Sequence, residues 1–139
     1  MTVTAQPSLP PCTSGATILL VEDDARIRFQ TANHLRADGH IVVEAESADA
    51  AVAILAAADY EVACVFSDIQ MPGRLNGIDL ARWILGNRPD IPVILTSGNV
   101  RLENLEAELQ AALTLIPKPY LANAVTTYLR SRISATGPV

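Results

Sequence analysis

The fold of this chain is decided by VACVFSD at residues 62–68, where five apolar residues run directly into Ser67 and Asp68. Three further apolar runs stop in the same way, at Glu22-Asp23-Asp24 after 17–21, at Thr96-Ser97 after 92–95 and at Pro117-Lys118-Pro119 after 114–116. Short apolar runs of this kind are typical of strands buried on both faces of a parallel sheet. Because chemistry collects at the carboxyl ends of such strands, we expect these polar groups to meet at one edge.

Helical patterns separate the strands, and a short run at 41–43 supplies a fifth strand. Gly39 is expected to end the first helix and Ser47 to cap the second. Apolar residues at helical spacing mark the helices, as Ile27, Thr31 and Leu35; an alanine-rich stretch to Ala58; Ile78, Ala81, Ile84 and Leu85; Leu102, Leu105 and Leu109; and Leu121, Val125, Leu129 and Ile133. This alternation predicts an α/β three-layer sandwich with a five-stranded parallel sheet and five helices.

We assign one domain to residues 16–133, preceded by a disordered leader at 1–15 and followed by a flexible C-terminal end at 134–139. The net charge of −5 argues against binding to nucleic acid or to a membrane surface. No apolar stretch approaches the roughly 18 residues of a membrane span, and no signal peptide is evident. Two cysteines are too few for a disulfide framework, so a cytoplasmic location is expected.

Asp68 is the most informative single residue. A carboxylate at the end of a buried strand is costly unless it is paired or coordinated, although an isolated aspartate there more often caps a turn. The triplet Glu22-Asp23-Asp24 changes that balance, because a divalent cation relieves the repulsion between neighbouring carboxylates. Mg²⁺ prefers few carboxylates together with water and phosphate oxygens, which suits Asp23 with Asp68. Asp24 is expected to cap the following helix.

Lys118 stands out because nine of the ten cationic residues are arginine and it is the only lysine. A compact ammonium on a flexible stem can reach a phosphoryl oxygen where a planar guanidinium fits less well. Ser97 could bond such an oxygen, and Gly98 beside it would leave room for close approach.

These segments resemble the receiver domain of two-component response regulators. The likeness rests on ILLVEDD at 18–24, SDIQMPG at 67–73, PVILTSG at 92–98 and PKPY at 117–120, and it covers about residues 16–133. It implies a flavodoxin-like sheet in the strand order 2-1-3-4-5. It also implies that Asp68 is the phosphoacceptor and that Mg²⁺ is held by Glu22, Asp23, Asp68 and the backbone carbonyl of Gln70.

The same resemblance places Ser97 at the hydroxyl position of the family and makes Lys118 the lysine that contacts the phosphoryl group. It implies a histidine kinase or a histidine phosphotransfer protein as the phosphodonor. Leu115 departs from the family, which usually has an aromatic switch residue there, and the loop 73–77 looks one residue longer than the common pattern.

Output is expected from the domain's own surface, because too few residues follow 133 for an effector domain. We assign the output face to the region of the fourth and fifth helices, where it would bind a downstream protein or a second copy of the chain. This face is represented by Leu102, Leu105, Leu115 and Tyr120.

Two other classes of protein remain open on the sequence. A phosphatase of the haloacid dehalogenase type also uses a strand-end aspartate, but it usually needs a second carboxylate two residues later, where this chain has Gln70. A degenerate receiver that binds partners without phosphorylation is the other, and the retained Asp68, Ser97 and Lys118 argue against it.

Overall fold

The structure, a computed structural model, describes residues 16–57, 61–71, 73–98, 103 and 105–117. Five strands and four helices lie within these residues. They are β1 (Thr17–Val21), α1 (Ala25–Ala37), β2 (Ile41–Ala45), α2 (Ala48–Ala57), β3 (Val62–Asp68), α3 (Gly77–Asn87), β4 (Val93–Ser97), α4 (Ala107–Ala112) and β5 (Leu113–Pro117). The expected fifth helix, at 121–133, falls outside the described residues, as do the proposed leader and C-terminal end.

The strands form one parallel sheet in the order β2-β1-β3-β4-β5, which confirms the predicted architecture. The central strands β3 and β4 are buried almost throughout, whereas the edge strand β2 alternates between exposed and buried residues. Continuous apolar runs therefore mark strands that are covered on both faces. The sequence of β2 includes the polar residue Glu44 because this strand lies at the edge of the sheet.

Two apolar clusters form the core, one on each face of the sheet. One contains Ala32 and Leu35 of α1, packed against Ile18, Cys64, Phe66 and Ile94 of the strands. The other joins residues of α2, α3 and α4, among them Ala51, Ile84 and Leu109, to the opposite side chains of the same strands. Successive side chains of a strand point to opposite faces, so each central strand contributes to both clusters.

The predicted helix ends are confirmed at two positions. The backbone at Gly39 has a φ of 97° and follows the last turn of α1, a conformation that glycine adopts without steric cost. The Ser47 hydroxyl accepts a hydrogen bond from the backbone N–H of Ala50 at 3.0 Å, as expected of a residue that caps α2.

The fourth helix differs from the sequence-based prediction. It was expected to begin near Leu102, but α4 begins at Ala107, and Leu105 lies before its first turn. The strands β3 and β4 are also longer than predicted, since Ser67, Asp68, Thr96 and Ser97 continue the ladder. Apolar spacing cannot locate these ends, because backbone pairing continues into polar residues and the leucine spacing continues upstream of the helix.

Candidate functional site

The carboxyl ends of four neighbouring strands lie at the same edge of the sheet. Val21 of β1 pairs with Ser67 of β3, Asp68 of β3 pairs with Thr96 of β4, and Ser97 of β4 pairs with Pro117 of β5. The described polar residues that end or follow β1, β3 and β4 are therefore brought side by side, in the arrangement that a parallel sheet imposes.

An acidic cluster occupies the β1 and β3 part of this edge. One carboxylate oxygen from each of Glu22, Asp23 and Asp68 lies within 4.8 Å of the others. Glu22 and Asp68 are only 5% and 6% exposed, whereas Asp23 is exposed. Buried carboxylates are costly without a compensating cation, and oxygen donors of this kind are the ligands that Mg²⁺ and Ca²⁺ prefer. The three side chains could therefore hold a divalent metal ion.

The backbone around Glu22 is fixed at several points. Its N–H donates to the carbonyl oxygen of Ala45 in β2 at 3.0 Å, and its Oε2 accepts from the N–H of Asp24 at 3.2 Å. Its carbonyl oxygen accepts from Nη1 of Arg28 in α1 at 2.8 Å. Arg28 was not singled out from the sequence, where the only signal is a cationic residue one helical turn after an acidic triplet.

Asp24 caps α1, as predicted. Its Oδ1 accepts from the backbone N–H groups of Arg26 and Ile27 at 2.9 and 3.1 Å. These bonds satisfy donors that have no partner within the helix. The cap accounts for Asp24 and separates its role from that of its neighbours Glu22 and Asp23.

The turn after β3 holds the Asp68 side chain. Its Oδ1 accepts from the backbone N–H of Gln70 at 3.2 Å, and its carbonyl oxygen accepts from the Ser67 hydroxyl at 2.8 Å. The N–H of Ile69 donates to the carbonyl oxygen of Thr96 at 3.0 Å, so β4 also anchors this turn. Asp68 thus projects from a hydrogen-bonded backbone.

Gly77 is a second residue that the sequence reasoning missed. It begins α3, and its N–H donates to the carbonyl oxygen of Ile69 at 2.8 Å. A Cβ atom at this position would lie 2.3 Å from the carbonyl oxygen of Asp68. Only glycine lets the start of α3 approach the Asp68 turn so closely. The available signal was a glycine after Asn76, which forms a capping box with Asp79.

The hydroxyl part of the edge is described only in part. Ser97 is 2% exposed at the end of β4, and Gly98 follows it on the surface. Among the described residues the buried Oγ1 of Thr96, beside Asp68 in the ladder, has no hydrogen-bond partner. Lys118 lies outside the described residues.

Two of the four residues assigned to the output face lie among the described residues. Leu105 and Leu115 are half-buried and pack against the core cluster on the face of α2, α3 and α4. Leu102 and Tyr120 lie outside the described residues. No helix in the described part of the chain is both long and apolar enough to cross a membrane.

Comparison with known proteins identifies the family. The family model of the response regulator receiver domain matches residues 18–130. The response regulator protein FleR of Pseudomonas aeruginosa is 35% identical over 111 residues, which are 79% of this chain and 23% of FleR. The phosphate regulon transcriptional regulatory protein PhoB of the same species is 32% identical over 127 residues, covering 89% of this chain and 54% of PhoB.

Solved structures show the same fold. A response regulator receiver domain protein from Clostridium thermocellum superposes with a TM-score of 0.78 at 26% identity, covering 86% of this chain and 95% of that one. The chain thus matches nearly the whole of an isolated receiver domain, but about a quarter to a half of the two curated regulators named above.

Proposed function

The chain belongs to the response regulator receiver domain family, and from this premise we propose that Asp68 accepts a phosphoryl group in a two-component phosphorelay. The observation that carries the proposal is the acidic cluster, in which oxygens of Glu22, Asp23 and Asp68 approach within 4.8 Å. Asp68 is the member that ends a central strand, and its Oδ1 accepts a hydrogen bond from the N–H of Gln70 in the following turn.

The carboxylates of this cluster and the backbone carbonyl of Gln70 would hold Mg²⁺. Bound there, Mg²⁺ would neutralise negative charge on the transferred phosphoryl group. Asp68 is the nucleophile. One of its carboxylate oxygens forms the bond to phosphorus while the P–N bond of a phosphohistidine breaks, and the electron pair stays on the imidazole nitrogen of the donor.

Ser97 and Lys118 complete the proposed site on the other side of Asp68. The Ser97 hydroxyl would donate to a phosphoryl oxygen and the Lys118 ammonium would neutralise another, while Gly98 leaves space beside them. The adjacency of β3, β4 and β5 in the sheet supports this placement for Ser97. For Lys118 the support is the sequence and the family resemblance.

The partners in this proposal are a histidine kinase or a histidine phosphotransfer protein as the donor, and a downstream protein or a second copy of the chain as the receiver of the signal. We place the output surface around α4 and the predicted fifth helix, and the domain limits at 16–133. The net charge of −5 fits protein partners better than nucleic acid or membrane, in a cytoplasmic protein.

Labelling by a small phosphodonor tests the proposal. The chain is incubated with radiolabelled acetyl phosphate, with Mg²⁺ or with EDTA, and compared with Asp68→Asn and with the control Asp90→Asn. Asp90 is exposed and lies just before β4, at the amino end of that strand and away from the proposed site. We expect no label on Asp68→Asn. The wild type and the control should carry a Mg²⁺-dependent label that is released in base. Undiminished labelling of Asp68→Asn would refute the assignment.

A further inference from the structure

Arg28 of α1 uses two donors of its guanidinium group, one toward the acidic turn at 22–24 and one toward β2. Its Nη1 donates to the carbonyl oxygen of Glu22 at 2.8 Å, and its Nε donates to Oε1 of Glu44 in β2 at 3.2 Å. The Arg28 side chain is 20% exposed; its bond to the Glu22 carbonyl is partly buried, and its bond to Glu44 is exposed. The planar fork of arginine suits two acceptors at fixed positions, which a single ammonium group does not.

The Glu22 carbonyl matters because it shares a rigid peptide plane with the backbone nitrogen of Asp23. Holding this oxygen therefore orients the backbone from which the Asp23 side chain projects. Among the described residues, the Asp23 carboxylate itself has no hydrogen-bond or ion-pair partner. Its position relative to Glu22 and Asp68 consequently depends on its backbone.

The charge of Arg28 by itself would weaken the binding of a metal ion, whereas its hydrogen bonds would favour binding. A cation close to a divalent metal site repels the metal ion, and this repulsion weakens binding. Glu44 offsets part of that repulsion, since its Oε1 accepts from Arg28 at 3.2 Å, although its Oε2 also accepts from Arg36 at 3.2 Å. The effects of geometry and of charge on metal affinity thus have opposite signs, and an experiment can separate them.

We propose that Arg28 is a positioning residue for the metal site, which orients the Glu22–Asp23 peptide and so keeps the carboxylates in place for a divalent cation. This inference rests on the proposed function, since it assumes that the cluster binds Mg²⁺. Replacing a residue that orients metal ligands through hydrogen bonds typically lowers metal affinity by about tenfold or more.

The test is calorimetric titration of the full chain with Mg²⁺, with no phosphodonor present. Arg28→Met removes both the charge and the fork, and Arg28→Lys keeps the charge but removes the fork. Arg26→Met is the matched control, because Arg26 is an exposed residue of the same helix turn whose guanidinium has no partner among the described residues. We expect both Arg28 variants to bind Mg²⁺ roughly tenfold more weakly, and Arg26→Met to bind it as well as the wild type or slightly better.

The opposite results would overturn the inference. Unchanged or tighter Mg²⁺ binding by Arg28→Met would show that its charge dominates, and wild-type affinity of Arg28→Lys would show that the fork is not needed. In a separate labelling assay with acetyl phosphate, slower phosphorylation of Arg28→Met at unchanged Mg²⁺ affinity would show that Arg28 acts on the phosphodonor, and the inference would be wrong.

A second measurement separates positioning from general stability. Urea unfolding without metal reports the stability of each variant, and amide NMR shifts of Asp23 and Asp24 report the geometry of the turn. We expect these two amides to shift in both Arg28 variants and not in Arg26→Met. A fall in stability with unchanged Mg²⁺ affinity would contradict the inference. If the wild type itself binds no Mg²⁺, the proposed function fails, and that outcome is distinct.

Discussion

The acidic turn after β1 and the helix α4 are held in very different ways. Glu22 is bound through its N–H, its side chain and its carbonyl oxygen, to β2, to Asp24 and to Arg28. α4 has six residues, and its N-cap residue Glu106 makes no side-chain capping bond. A rigid backbone keeps neighbouring negative charges in place, whereas a short helix that makes few hydrogen bonds to the other described residues can move more easily. In the described part of the chain, the two turns at 22–24 and 68–70 (the fixed region) are thus held by more hydrogen bonds to neighbouring elements than α4 is.

Within the described residues, α4 is joined to the rest of the domain by the buried Leu109 and by exposed ion pairs of its N-cap residue Glu106. Leu109 is 2% exposed in the core cluster. Arg82 of α3 donates to Glu106 through Nε at 2.8 Å and also through Nη2, and it donates to Asp79 at 3.3 Å. No residue separates α4 from β5, so a displacement of the helix has to move the beginning of that strand.

The largest effect is expected where α3 meets the fixed region. Gly77→Ala places a Cβ atom where 2.3 Å separates it from the Asp68 carbonyl oxygen, and it should cost about 3 kcal/mol of unfolding free energy. Gly86→Ala, in the same helix but facing open space, should instead stabilise the protein by roughly 1 kcal/mol. Urea denaturation of the two variants measures both values, and equal effects would contradict the close approach.

Removing the Asp23 carboxylate from the fixed region should lower the affinity for Mg²⁺ without lowering the stability of the fold. Asp23→Ala should weaken Mg²⁺ binding by more than the roughly tenfold loss typical of residues that only support a ligand. The metal-free protein should be as stable as the wild type or ~0.5 kcal/mol more stable, because repulsion with Glu22 and Asp68 is relieved. Calorimetry and thermal unfolding check the two parts. A clear loss of metal-free stability would mean that Asp23 serves the fold rather than a metal ion.

The sequence predicted correctly the features that depend on local residue types and on the general geometry of parallel sheets. Continuous apolar runs located the buried strands, and Asp24, Gly39 and Ser47 marked helix ends correctly. The convergence of Glu22 and Asp68 followed from the rule that parallel strands end at one edge.

Contacts that depend on tertiary geometry were not predictable. Nothing in the spacing indicated that Arg28 bonds the Glu22 carbonyl, or that Gly77 must approach the backbone of Asp68. The start of α4 was also placed wrongly, because Leu105 and Leu109 share a helical spacing although Leu105 packs on the core before the helix begins.

Activation should change the α4 region more than the fixed region. With Leu115 at the position of the usual aromatic switch, we expect coupling through Gly98 and the segment that leads to α4. Amide NMR spectra with and without beryllofluoride should show the largest remote shifts in residues 98–112, part of which the structure describes. Larger shifts in α2, residues 48–57, would show that the output face is wrong.

The smallest effect is expected from the tie between α3 and α4. Arg82→Met should lower the unfolding free energy by less than about 1 kcal/mol, because the ion pairs are exposed. The amides of Leu109 and Gln110 should nevertheless exchange faster with solvent, since Glu106 is released. Arg88→Met is the control, as its partner Asp90 lies beyond the other end of α3. Equal exchange of α4 in both variants would argue against the tie.

The proposed function requires that Asp68 alone becomes phosphorylated, and chemical mapping of the modified residue is the direct measurement. After treatment with acetyl phosphate and Mg²⁺, borohydride reduces an aspartyl phosphate to homoserine, which peptide mass spectrometry locates. We expect homoserine at position 68 only, and none when EDTA replaces Mg²⁺. Homoserine at position 23 or 24, or a phosphate that survives the reduction on serine, would contradict it.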